Sequence, residues 1–294
     1  MRNIDLYNPY HLGDSVFMMI LFYNIKEYIE KKNIIINYYC IEELHKQLSE
    51  FICTNNIKLL NYTENNIGLN CWINNNNFTI HWSDWLNNNN HNNCFNDFYI
   101  IFFNQLLDIL NINQKIIFLS YKDEDLINRY NKFNDKYKNI DFLVINSVPM
   151  SGQFNYNENE WNIFCTELNK KYKIITTKKV SDIFCTLDEN LTIKDIAALS
   201  TNIKKIISVN TGVLPGLLNE YTLNNIEVLY YFDNKLNYSY SKFKKINDIK
   251  DLNFLYDTFE KFNNTIYVNY NNILLLLLLL VFFILFYFIK KSPS

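Results

Sequence analysis

Residues 193–219, "IKDIAALSTNIKKIISVNTGVLPGLLN", run from a short amphipathic helix through an apolar strand into a loop that holds two glycines and a proline. Thr192 stands where a helix N-cap belongs, ahead of "IKDIAALS". "KIISV" (205–209) has the length and branching of a buried strand, and "LPGLLNEY" (214–221) turns helix-like before the next strand, "IEVLYYF" (226–232). A helix, a strand, a glycine loop, a helix and a strand in that order are one unit of an α/β fold with a mainly parallel sheet.

The same alternation extends in both directions. Upstream lie strand-like "IDLYN" (4–8), "IIINYYC" (34–40), "IKLLNY" (57–62) and "KIIFLS" (115–120), with helical patterns over 15–31, 41–52 and 95–110. The Asn runs at 74–77 and 87–90 read as loops. A charged helix, "DEDLINRYNKFNDKYK" (123–138), reads as exposed and marks a domain boundary. The pattern restarts at "DFLVIN" (141–146) and continues with a helix from Glu158 to Tyr172, in which Trp161, Phe164, Cys165 and Leu168 form one apolar stripe. "YKIITT" (172–177) is the next strand, and a last helix covers 248–262. The expectation is two Rossmann-like domains, 1–138 and 139–265, facing across a cleft, followed by a transmembrane segment at 270–291.

Composition narrows the function. With 49% hydrophobic residues, 17% aromatic residues and a net charge of -2, the chain is a folding sequence. It has no basic stripe to track a phosphate backbone, so nucleic acid is not an expected partner. The 6 cysteines form no CxxC, and the 4 histidines are scattered, so no metal site is expected and the thiols read as reduced and buried. Asn and Ile are so abundant that an individual one carries little information, whereas each of the 5 glycines and 4 prolines carries more.

Gly13, Gly152, Gly212 and Gly216, with Pro9, Pro149 and Pro215, fall in three loops that each follow a strand and precede a helix. In an open parallel sheet these loops gather at the carboxyl ends of the strands, where ligands bind. Glycine permits a positive φ and close backbone approach, and a following helix offers amide hydrogens to an anion. The chain lacks GxxxxGK[ST], GxGxxG and GxSxG. What is left is a nucleotide or sugar-phosphate ligand held mostly by backbone.

At the other end, "ILLLLLLLVFFILFYFI" (273–289) is 17 residues without a charge, closed by Lys290 and Lys291. At about 1.5 Å per residue this just spans a bilayer core, and it reads as a tail anchor. "MRNIDLYNPYHLGDS" has charge and a turn where a signal peptide needs an apolar run, so the body is expected in the cytosol.

Three motifs, "HLGDSVFMMILFYNI" (11–25), "FLVINSVPMSGQFNYNENEWNIFCTEL" (142–168) and the stretch quoted first, resemble in order and spacing the heptosyltransferase-like glycosyltransferases. That family has the GT-B architecture of two Rossmann-like domains. The resemblance implies transfer of a sugar from a nucleotide-diphosphate sugar to a glycan, lipid or protein acceptor, by an inverting mechanism without a metal or other cofactor. It implies Asp14, beside Gly13, as the base that takes the acceptor proton; read from residue type alone, Asp14 is equally the cap of the helix that follows. The donor diphosphate is expected against Ser147, Ser151, Gly152, Thr211, Gly212 and Val213. Asn210 stands where the family has aspartate, Pro215 near the family's histidine, and Lys178 and Lys179 are the nearest substitutes for its basic residue. Those departures leave a second reading open, a tail-anchored binding or scaffold protein that keeps the fold without catalysis.

Overall fold

The computed structural model describes residues 2–8, 11–63, 71–75, 78–81, 100, 103–104, 106–108, 110–117, 119–133, 135–150, 152, 154–234, 238 and 240–256. The expected membrane segment, 270–291, lies outside the described residues; among them, no helix is long and apolar enough to cross a membrane.

Residues 2–81 supply a five-stranded sheet in the order β3-β2-β1-β4-β5. Its strands are β1 (Arg2–Tyr7), β2 (Ile34–Cys40), β3 (Ile57–Asn61), β4 (Cys71–Asn75) and β5 (Phe78–His81), with helix α1 (Leu12–Lys31) after β1 and α2 (Glu42–Ser49) after β2. The β1–β2 and β2–β3 pairs are parallel, and β4 and β5 pair antiparallel. Burial alternates strictly along β2, as a sheet with one fully covered face requires. Helix α1 is buried at every position from Ser15 to Phe22, which is why its sequence is apolar all round.

Residues 142–246 supply a second sheet in the order β11-β10-β9-β6-β7-β8, parallel throughout. It comprises β6 (Phe142–Ile145), β7 (Ile174–Thr176), β8 (Phe184–Cys185), β9 (Lys205–Val209), β10 (Val228–Phe232) and β11 (Phe243–Ile246). Helix α3 (Asp125–Lys132) precedes it, and α4 (Glu158–Asn169), α5 (Ile193–Ser200) and α6 (Glu220–Asn225) connect its strands. Strand β6 is buried along its whole length, as a sheet covered on both faces demands. The expected stripe of α4 is the buried set Trp161, Phe164, Cys165 and Leu168. Thr192 caps α5 in a capping box with Asp195.

Several expectations are corrected. Asn74 and Asn75 belong to β4 rather than to a loop. The described residues of 115–120 form no strand, because side chains take their backbone groups: Asn104 bonds both N–H and C=O of Ile116, Asn24 donates to the Ser120 carbonyl, and Tyr240 donates to that of Leu119. Next to them, Tyr121 makes an isolated bridge to Asn219. The two short strands β8 and β11 lack a periodic signal in the sequence. The last helix is a 3-10 turn at Ile249–Leu255, and residues beyond 256 lie outside the described residues.

The charged segment after residue 123 is not an exposed linker. Leu126 is fully buried, and the acidic and basic groups around it tie the two sheets' helices together. Lys194 of α5, 5% exposed, sits 2.8 Å from Asp123 and donates at 2.7 Å to the carbonyl of Glu50, just past α2. Tyr23 of α1 donates to the same Asp123 carboxylate at 2.6 Å. Arg129 of α3 bonds Glu50 at 2.8 Å, Asp195 at 2.9 Å and Asp125 at 2.7 Å. The first amide of α5, at Ile193, donates to Gln47 of α2 at 2.8 Å.

Breaking such a set leaves a buried charge uncompensated, at a cost of about 3–5 kcal/mol. Lys194→Met is expected to lower Tm by roughly 6–15 °C, and a melt within 2 °C of the parent, an allowance set at the least sensitivity of Tm to ~1 kcal/mol, would remove the clasp from the stability account. The Arg129 guanidinium holds the Asp125 carboxyl below its ordinary range. A depressed carboxyl stabilises the fold above the unfolded value of about 3.9 and loses that contribution as pH falls through the folded value. Tm is therefore expected to be flat above about pH 5 and to fall below about pH 4, and the fall should be smaller in Asp125→Asn.

Candidate functional site

Each sheet reverses its strand order once. In the first sheet β1 has β2 and β4 on opposite sides; in the second, β6 and β9 are neighbours from which the chain winds away in both directions. Ligand crevices form at the carboxyl ends of strands at such points. The segments that follow β1, β6 and β9 are the three expected to hold glycines and prolines in loops; Gly152 and Gly212 do lie in loops, whereas Gly13 is the second residue of α1 and Pro215 and Gly216 lie in a 3-10 turn, Leu214–Leu217.

Each of these segments begins with a buried asparagine. Asn8, 3% exposed, donates to Ser15 Oγ at 3.0 Å and to the His11 carbonyl at 3.2 Å, and Tyr38 donates to the same Ser15 hydroxyl at 2.9 Å. Asn146, fully buried after β6, accepts from the amides of Thr177 (3.1 Å) and Lys178 (2.8 Å) and donates to the Lys178 carbonyl at 3.1 Å. Asn210, 4% exposed after β9, donates to Asp233 at 2.5 Å and accepts from Tyr238 at 3.2 Å. Burial pushes the Tyr38 and Tyr238 hydroxyls far up, so both stay protonated donors. Asn8 and Asn146 are residues that sequence reasoning missed. The signal available was position: each is the first residue after a strand and opens a loop bearing glycine or proline.

The start of α1 and the loop after β9 meet at Gly13 and Gly212. A Cβ on Gly13 would stand 3.3 Å from the Gly212 Cα, and one on Gly212 would stand 3.3 Å from both the Gly13 nitrogen and the Leu12 side chain. Their role is close backbone approach. Of the described glycines only Gly152 has positive φ, at 63°, and it is exposed with open space around it.

Over this junction lies a cleft of about 380 Å³. Asp14, Gly13, Ser147, Asn210, Thr211, Gly212 and Val213 line it, joined by His11, Phe17, Gln47, Val148, Met150 and Pro215 among others. Seven of the expected site residues are thus brought together. Gly152 and Lys178 are not: neither lines the cleft, and the Lys178 ammonium pairs with Glu158 at 2.8 Å, which the residue spacing alone did not reveal. Ser151 lies outside the described residues.

Asp14 is not the cap of its helix. The N-cap position of α1 is His11, which makes no side-chain cap bond, and Asp14 is the third helical residue. Among the described residues, the amides of Thr211, Gly212 and Val213 find no acceptor, and the buried Thr211 Oγ1 finds no partner. Successive amides of this kind make a concavity for an anion. Among the described residues that line the cleft, Asp14 is the one Asp, Glu, Lys or Arg.

The Gly13–Gly212 approach sets a steric test. Gly13→Ala must push one backbone segment from another, costing ~1–3 kcal/mol and lowering Tm by roughly 2–10 °C, with Gly13→Val lower still. An unchanged melt for Gly13→Val would mean that the loops separate freely.

No family model and no curated protein matches the chain. Among solved structures it is similar to a family 9 glycosyl transferase from Veillonella parvula DSM 2008, with a TM-score of 0.49 and 9% identity over 86% of this chain and 88% of that one. It is also similar to the E. coli heptosyltransferase WaaC with ADP-2-deoxy-2-fluoro heptose, with a TM-score of 0.49 and 8% identity over 92% and 100%. E. coli ADP-heptose lps heptosyltransferase II gives a TM-score of 0.45 and 9% identity over 87% and 98%.

Proposed function

We propose that the chain is a glycosyltransferase that moves a sugar from a nucleotide-diphosphate sugar to an acceptor hydroxyl, inverting the anomeric centre without a metal. The observation that carries this reading is the meeting of the Gly13–Asp14 helix start with the Thr211–Val213 loop in one cleft. A carboxylate and a row of unbonded amides face the same space, which is what transfer between a hydroxyl and a departing diphosphate needs.

In this mechanism Asp14 takes the acceptor proton as the hydroxyl oxygen attacks the anomeric carbon. The bond from that carbon to the diphosphate oxygen breaks, and the leaving group keeps the electron pair. The amides of Thr211, Gly212 and Val213 hold the charge that develops there, with the hydroxyls of Thr211 and Ser147 as further donors. The two loops act as the lips of two Rossmann-like domains in the GT-B manner, residues 1–138 on the acceptor side and 139–265 on the donor side.

One observation favours the second reading, a binding or scaffold protein without catalysis. Among the described residues no Lys or Arg lines the cleft, and Lys178 is paired elsewhere, so a diphosphate would rely on backbone amides and hydroxyls without a cation. Nucleoside diphosphates and their sugar conjugates decide between the readings through thermal stabilisation of the full chain. At a hundred times its Kd a ligand adds about 2.7 kcal/mol, or a rise of roughly 5–10 °C. No rise with any of them would overturn the enzyme reading. With a binder in hand, Asp14→Asn is expected to cut turnover by about 100-fold or more while leaving Kd within about threefold; an active variant would remove Asp14 from the chemistry.

Residues 273–289 are proposed as the membrane anchor, with the body in the cytosol, on the strength of their uninterrupted apolar run. Removing residues 270–294 is expected to shift the protein from the membrane pellet to the supernatant on fractionation, and a truncated chain that stays in the pellet contradicts the anchor.

A further inference from the structure

We propose that Asp233 is a positioning residue for the Thr211–Val213 loop, acting through Asn210, and that the two side chains form an acid–amide pair whose members can be exchanged. Asp233 follows directly on β10 as Asn210 follows on the adjacent β9, and the Asn210 amide donates to the Phe232 carbonyl at 3.1 Å, carrying the ladder one residue past the strand ends. Both side chains are buried, at 0% and 4% exposure.

The chemistry of the pair dictates residue type at both positions. Asn210 uses both ends of its amide: Nδ2 donates to the Asp233 carboxylate at 2.5 Å, and Oδ1 accepts from the Tyr238 hydroxyl at 3.2 Å. With Asp at 210 the donor is lost, and two carboxylates share a buried site, an arrangement in which both cannot ionise. Moving the acid to 210 and the amide to 233 restores both of these bonds: the 210 carboxylate accepts from the new amide and from Tyr238. Asn at 210 is therefore a consequence of the acid one strand away.

The pair holds the residue before Thr211, so it sets where the three unbonded amides point. That much stands on the geometry; its expression in ligand affinity rests on the nucleotide-sugar reading above.

The test compares Asn210→Asp, Asp233→Asn and the double exchange in the full chain, through Tm, amide hydrogen exchange over residues 210–217, and Kd for the best-binding nucleoside diphosphate. Asn210→Asp is expected to lower Tm by roughly 5–12 °C and to speed exchange at Leu214 and Gly216, whose amides bond the Thr211 and Val213 carbonyls, by about tenfold or more, each 1.4 kcal/mol being a factor of ten. Asp233→Asn, which leaves Asn210 an acceptor for its amide and loses only the charge, has the smaller effect. The double exchange should return Tm to within about 3 °C and exchange at 214 and 216 to within about threefold of the parent. If Asn210→Asp does not fold, recovery of a folded protein by the double exchange is the supporting result.

Effects of the two single changes that simply add in the double variant would overturn the pairing. Tm recovery with exchange at Leu214 and Gly216 unmoved in every variant would overturn the positioning role. Should no nucleoside diphosphate bind the parent while the rescue pattern holds, the proposed function fails and the pair stands.

Discussion

The backbone approach of Gly13 to Gly212 is the constraint on which the rest of the molecule depends. Two loops from two sheets come close enough that a methyl group on either glycine would stand 3.3 Å from main-chain atoms of the other loop. Side chains of ordinary size would hold the sheets' carboxyl ends apart and widen the cleft into a gap. With glycine at both positions, the carboxylate at the start of α1 and the amides after β9 share one volume of about 380 Å³. Nothing in the chemistry proposed for the cleft works at a larger separation, because proton removal and charge stabilisation both act over hydrogen-bond distances.

Close approach at one point does not fix the angle between two layers; the clasp of Lys194, Arg129, Asp123, Glu50 and Asp195 does so from a second point. Its charges are drawn from α2, α3, α5 and the turns beside them, so it joins the helices of both sheets through the segment that links them. Ion pairs of this burial add little net stability relative to apolar packing, but they are intolerant of misalignment. Their value lies in specifying one arrangement. The same clasp occupies the N-terminus of α5: Thr192 accepts from Asp195, and Gln47 accepts from Ile193. That helix start is therefore engaged in holding the sheets, which leaves the β9 loop as the place for an anion.

Legibility in the sequence followed from how local each signal was. Strand β2, the stripe on α4 and the Thr192 cap are set by residues within one or two turns of each other, and each was readable. The glycine segments were readable, and close backbone approach was among the reasons given for them, but that residue 13 approaches residue 212 is a tertiary fact, and among the described glycines positive φ belongs only to Gly152, which lies outside the cleft. The charged run after 123 misled because its solvated appearance depends on what faces it, and what faces it is Lys194. The asparagines misled for the opposite reason. In a chain crowded with Asn, composition argued that an individual one carries little information; Asn210 was singled out through the family resemblance, Asn8 and Asn146 were not, and all three organise a loop of the site.

Those three asparagines share a physical logic. A parallel strand that ends at a ligand crevice exposes its last backbone groups without a further ladder partner, and a buried amide can both donate and accept there without a net charge. Asn8 turns the chain into α1, Asn146 ties β6 to the loop after β7, and Asn210 ties β9 to the end of β10. Each thereby fixes a strand end beside the cleft, which Asn210 itself lines together with Asp14 and residues 211–213. Under the proposed function, a site built this way would recognise an anion by geometry more than by charge. Its affinity for a diphosphate would then be less sensitive to salt than that of a site lined with lysine and arginine, because the neutral amides that replace them gather no counterions to be released on binding.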